Sequence, residues 1–274
     1  VPVLHHYNAR EKKYQDSSLF YHHEPCMWIT TEDKKLTYTV SRSVAATPSL
    51  IFIDSALQRG DAMQITLKQK FQKKFICKNI AAYIEGRHND SFMVFSAHYD
   101  HLGMMGQAMF PGASDNASGV AMLMKLVAWY QQHPPEYKTV FLLFSGEEAG
   151  LVGSSYFTEH PLFPLDRIRL LINLDIMGNA EKGIVMVNGE DNHRAFDKLK
   201  ALNDTMHAVP AVRIRAQARN SDHYPFAMHG VPAVFIYTDG GPGYYHDVFD
   251  QANTLALTHI DALADLLIRF CALY

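Results

Sequence analysis

Two textures of hydrophobic and polar positions follow one another along the 274 residues. Over residues 1–79 short apolar runs alternate with charge and Ser/Thr, at Leu36–Val40, Leu50–Ile53, Met63–Leu67 and Phe75–Cys77. Their period-two alternation and β-branched content predict short strands. From residue 80 to 274 strand and helix patterns alternate instead. Strands are predicted at Phe92–Ala97, Thr139–Phe144, Leu170–Leu174, Ile184–Val187 and Pro232–Tyr237, several of them apolar throughout, as in strands covered on both faces. Helices are predicted at Ala117–Gln132, Arg194–Leu202 and Thr258–Leu273. The last opens on Thr258-x-x-Asp261, close to a capping box, and carries Ile260, Leu263, Leu266, Leu267 and Phe270 at helical spacing. The expected fold is α/β: a three-layer αβα sandwich around a mostly parallel mixed sheet, preceded by a β-rich segment.

Composition narrows the function classes. Hydrophobic residues make up 48% and charged residues 19%, values of a globular chain. A net charge of −3 with no Lys/Arg block gives no footprint for nucleic acid. No apolar stretch approaches the roughly 18–20 residues of a membrane span. Cys26, Cys77 and Cys271 are scattered and form no metal-binding pair pattern. The unusual count is histidine, at 15.

Chemistry gathers where apolar strands end, which is where α/β sheets carry their sites. Phe92–Ala97 runs into His98-Tyr-Asp100-His101, Thr139–Phe144 into Glu147-Glu148, and Leu170–Leu174 into Asp175. The Gly-rich stretch after Tyr237 delivers Tyr244-Tyr245-His246-Asp247, and Asp115 opens the helix at Ala117. Taken singly, each of these acids reads more readily as a helix cap or a solvated loop residue than as a functional group. Together at one sheet edge they would repel each other unless a cation sat among them. Two histidines and several carboxylates without cysteine suit zinc or a similar divalent ion. A two-metal site needs two His and three acids, the number that His98, Asp115, Glu148, Asp175 and His246 supply. Glu147 is then left to move a proton, and Asp100, two residues from His98, to orient its imidazole. The chain has no H-E-x-x-H, G-x-S-x-G, P-loop or G-x-G-x-x-G.

Five blocks in order, Ser96–Gly103, Gly112–Gly119, Phe144–Ser154, Asn173–Gly178 and Tyr245-His246, resemble the zinc aminopeptidases of peptidase family M28. The resemblance implies two Zn2+ per chain, His98 with Asp175 on one ion, Glu148 with His246 on the other, and Asp115 bridging. It further implies Glu147 as general base and acid, Asp100 as partner of His98, Tyr245 as donor to the oxyanion, and a cis peptide at Asp115-Asn116. Ser221-Asp222-His223 resembles a segment lining the substrate pocket, with no ligand role for His223. His101 receives no role and reads as a residue of the surface or of the site's surroundings. Expected partners are peptides with a free N-terminus, and the resemblance implies export from the cytoplasm. Residues 1–79 resemble part of a protease-associated insert, and residues 80–274 the catalytic domain. Glutaminyl cyclases share the fold with a single zinc, but there a Trp commonly precedes the last His, where this chain has Tyr245. A non-catalytic ectodomain on this scaffold would usually have lost ligands that are all present here.

Overall fold

The computed structural model describes residue 72 and residues 74–274 throughout, and four short strands before them by their backbone. The chain divides into two units, Val1–Phe75 and Ile76–Tyr274. In the first, β1 (Tyr7–Asn8) pairs antiparallel with β2 (Lys13–Tyr14), and β3 (Met27–Glu32) pairs parallel with β4 (Ser49–Asp54). The strand expected at Leu50–Ile53 thus lies within β4, whereas those expected at Leu36–Val40 and Met63–Leu67 fall outside the described residues. Phe75–Cys77 is not a strand: Phe75 and Ile76 are 74% and 71% exposed, so no buried face rewards an extended pairing there.

The second unit is built on a seven-stranded sheet. In chain order its strands are β5 (Ile80–Ile84), β6 (His88–His98), β9 (Tyr137–Phe144), β10 (Ile168–Leu174), β11 (Gly183–Val187), β12 (Val212–Arg215) and β13 (Ala233–Asp239). A small hairpin, β7 (Gly103–Met105) with β8 (Ala108–Phe110), stands apart. Across the sheet the order is β12-β11-β13-β10-β6-β9-β5. All neighbours are parallel except β11 with β13 and β5 with β9.

Five helices flank it: α1 (Ser118–Gln132), α2 (Val152–Glu159), α3 (His193–Met206), α4 (His223–Met228) and α5 (Ile260–Leu273). The continuous apolar run of β6 follows from burial on both faces. Met93, Phe95 and Ala97 join Leu126, Leu199 and Leu267 in one core, while Phe92 and Val94 join Phe144, Phe157 and Phe226 in the other. Gly119 lets α1 press onto β10, since a Cβ there would lie 2.4 Å from the Leu174 carbonyl oxygen.

Two local expectations change. α3 runs on past Leu202 because the buried Asn203 amide, instead of ending the helix, pairs with both main-chain groups of Val209. The capping box at α5 does not form: His259 is the cap residue in left-handed conformation, and the Thr258 hydroxyl donates to Glu181 instead.

Candidate metal centre

The carboxyl ends of β6, β9, β10 and β13 open onto one side of the sheet, and the turn before α1 joins them there. His98 is the last residue of β6 and 1% exposed. Asp115 sits in the Ala113–Ala117 turn before α1 and is joined to Asn116 by a cis peptide bond. That turn is held from β10's end: Asn116 donates to the Leu174 carbonyl and accepts from the Gly119 and Ile176 N–H groups. Ile176 and His246, each at or beside an expected ligand, have φ of 58° and 52°, the left-handed region that non-glycine residues enter at a cost and that often marks a functional site.

The five residues expected as ligands come together. His98 Nε2 stands 3.2 Å from Asp115 Oδ1 and 3.3 Å from Asp175 Oδ1. His246 Nε2 stands 3.4 Å from Asp115 Oδ2 and 3.1 Å from Glu148 Oε2. Asp115 therefore turns one oxygen toward each imidazole–carboxylate pair. The other oxygen of Asp175 accepts a hydrogen bond of 2.7 Å from the Ser221 hydroxyl, which itself accepts from Asn173.

The electrostatics are those of a site short of positive charge. Burial alone would push His98 down, but Asp175 and Asp115 carry it well above an imidazole's usual value. His246 is raised to about 9 against its own desolvation, by Asp115 and Glu148. Burial would raise Asp115 and Glu148, yet their imidazole neighbours hold both below the ordinary carboxylate range. Glu147 goes the other way: burial lifts it to about 10, opposed by His98 and reinforced by Asp222, Asp175 and Glu148.

These residues fit a divalent ion on the geometry itself. A tetrahedral zinc with bonds of about 2.0–2.1 Å sets its donor atoms roughly 3.3 Å apart. The separations of 3.1–3.4 Å around the two imidazoles match that edge length. His246 Nε2 is also buried without a hydrogen bond. Nitrogen and carboxylate donors without sulfur suit zinc among the common ions.

Other expected residues take different places. Asp100 stands beside His98, but its main-chain carbonyl accepts from His98 Nδ1 at 3.0 Å, while its carboxylate is 3.8 Å from that nitrogen. The carboxylate accepts instead from the Glu147 and Glu148 N–H groups, at 3.2 and 3.4 Å, tying that turn to the end of β6. Tyr245 stacks on His246 with ring centroids 3.9 Å apart. His223 packs against Phe235 and belongs to neither group of converging donor atoms, and burial lowers it to about 4, so it is neutral. His101 and Asp250, to which sequence reading gave no part, both stand at the site.

The sequence profile of Peptidase family M28 matches residues 79–271. The chain belongs to peptidase family M28. Aminopeptidase YwaD of Bacillus subtilis is 26% identical over 191 residues, 66% of this chain and 40% of that protein. A vacuolar membrane protease of Schizophyllum commune is 42% identical over 84 residues, 30% of this chain and 9% of that protein. The chain thus spans less than half the length of these relatives. Among solved structures, the zinc aminopeptidase BSAP from Bacillus subtilis superposes with a TM-score of 0.60 at 23% identity, over 72% of this chain and 49% of that one. An Acidobacteriales glutaminyl cyclase gives a TM-score of 0.63 at 23% identity, over 71% and 72%. At such identities the likeness shows the fold alone. Among the described residues no helix is long and apolar enough to cross a membrane.

Proposed function

We propose that this chain is a zinc-dependent aminopeptidase that hydrolyses the N-terminal residue of peptides at a two-metal site. Asp115 carries the reading, because its two oxygens face two separate imidazole–carboxylate pairs. His98 and Asp175 would hold one ion, His246 and Glu148 the other. Bound zinc supplies Lewis acidity toward the scissile carbonyl and makes water more acidic.

The chain's own residues do the rest. Glu147, half-buried beside both pairs, takes a proton from the attacking water and returns it to the leaving amine as the C–N bond breaks. Without a cation its pKa of about 10 keeps it protonated at neutral pH, and positive charge in the cluster is what releases it for base work. Asp100 fixes the main chain under Glu147 and Glu148, so the base keeps its place relative to His98. The Tyr245 hydroxyl, whose pKa burial and the neighbouring acids push above its ordinary value, stays a donor for the developing oxyanion. The surplus of carboxylates attracts a free α-amino group, which makes this an exopeptidase. A recess of about 70 Å³ beside Asp115, between Ile176, Tyr245 and Leu255, receives the side chain of the first residue. Export belongs to the same proposal and rests on the family resemblance.

The test is a panel of free-N-terminus peptides, several beginning with Gln, incubated with zinc-loaded protein and followed by mass spectrometry beside a chelated control. Chelator-sensitive loss of whole N-terminal residues supports the proposal. Loss of ammonia from the Gln peptides alone overturns it in favour of a cyclase.

A further inference from the structure

One imidazole in the cluster lies outside both pairs. The His101 side chain is 8% exposed, and neither ring nitrogen makes a hydrogen bond. Its Nδ1 forms an ion-pair contact of 2.7 Å with Glu148 Oε1 that is out of line for a hydrogen bond, and that oxygen too is buried without one. A buried donor–acceptor couple left unbonded at contact distance is unfavourable unless a third group satisfies both. A cation bound between them would satisfy both atoms at once. His101, Asp115 and Glu148 place one donor atom each within 4.8 Å of one another, as His98, Asp115 and Asp175 do, and the two triplets share Asp115.

The ring is also held in place. Gly112 has φ of 66°, and a Cβ there would lie 2.5 Å from His101 Cγ, so its bare backbone packs against the imidazole. On its other side the ring meets His246 edge-on, centroids 5.7 Å apart at 76°. A fixed imidazole with free nitrogens is prepared as a ligand, since little freedom is lost on coordination.

We propose that His101 is a direct ligand of the ion held by Glu148 and His246. The inference rests on the two-metal reading above and makes the two positions unequal. The first has three protein ligands, His98, Asp175 and Asp115. The second has four, His101, His246, Glu148 and Asp115. Zinc sites with four protein ligands are closed and retentive, whereas three leave a position open to water and substrate. The His246 ion is therefore the tightly kept one, and the His98 ion the exchangeable one.

The experiment is stepwise removal of zinc by graded chelator, with X-ray absorption at the zinc edge, on the wild type, His101→Ala and His101→Gln. The expected wild type holds two ions that leave in separate steps, with spectra that fit three imidazoles over the pair. In both variants the tighter step weakens by 100-fold or more and the fit falls to two imidazoles. Gln can still donate to Glu148, so its failure to restore affinity separates coordination from mere positioning. Circular dichroism of the zinc-free proteins confirms that each variant folds. A wild type with two imidazoles, or variants that keep the tight step, overturns the inference and leaves the two-metal reading standing. A wild type that binds no zinc overturns that reading instead.

Discussion

Asp250 grips the main chain at Asp115. Its two carboxylate oxygens accept the N–H groups of Ser114 and Asp115, at 2.7 and 3.0 Å, and its carbonyl accepts from Ala113. Asp250 is 1% exposed and lies four residues after His246, so one short segment delivers an imidazole and fixes the carboxylate that faces it.

Removing that grip should loosen the centre without touching a ligand. Asp250→Ala leaves one buried and one part-buried N–H donor unpaired, at about 1–3 kcal/mol for the buried one, and should weaken zinc binding roughly 10- to 100-fold. Asp250→Asn keeps one acceptor oxygen and should fall between Ala and wild type. Urea unfolding with zinc titration measures both. A stable Asp250→Ala protein with unchanged zinc affinity would show that the turn holds its shape without this contact.

Glu147→Gln removes the proton acceptor while keeping the side chain's size. Peptide hydrolysis should drop by roughly 10²–10⁴-fold, the usual worth of a general base. Zinc content should remain that of the wild type, because Glu147 belongs to neither group of converging donor atoms. Retained activity would remove Glu147 from the mechanism.

The histidine and glutamate values predict how zinc and pH share control of stability. In the zinc-free fold His246 holds its proton up to about pH 9 against an ordinary 6.5, and Glu147 up to about 10 against 4.5. Between each pair of values the folded state binds a proton that the unfolded chain has released, so stability falls as pH rises. The His246 contribution is fully present below about 6.5 and lost through about 9. Bound zinc takes the place of these protons. The rise in Tm on adding zinc should therefore be larger near pH 9 than near pH 6, read by calorimetry against chelated protein. An equal rise at both would contradict the shifts.

What the sequence made legible was set by burial. Phe92–Ala97 reads as a strand because both its faces are covered, and the polar residues just past such runs, His98, Glu147, Glu148 and Asp175, fall at the sheet's carboxyl edge. Weakly buried elements gave no such signal. In β5, Ile80 and Tyr83 are 50% and 62% exposed, so its place at the sheet's edge leaves little hydrophobic pattern. The helices α2 and α4, of 8 and 6 residues, are too short to show a helical period, and α2 starts from Leu151 at φ of 60°. His101 received no role because spacing past a strand end does not tell which way the chain bends. Asp250 escaped notice because a carboxylate bonded to backbone leaves no mark in sequence.

Tyr245 gives the most demanding test, since its ring stacks on His246 and could serve packing alone. Its hydroxyl is raised in pKa mainly by burial, then by Asp115 and Glu148, so it remains protonated through the neutral range. Half the residue faces solvent, which leaves the hydroxyl within reach of a bound peptide. Tyr245→Phe keeps the ring, and with it the stacking, but deletes the donor. If the hydroxyl serves the oxyanion, kcat should fall about 10²- to 10³-fold, as when one such donor is lost, while KM and zinc content stay nearly level. Tyr245→Ala should in addition weaken zinc binding, because it also removes the ring that steadies His246. Steady-state kinetics on a single peptide, with zinc measured by atomic absorption, resolves the two effects. Wild-type kcat in Tyr245→Phe, together with zinc loss in Tyr245→Ala, would assign the residue to support of His246 and send the search for the oxyanion donor elsewhere.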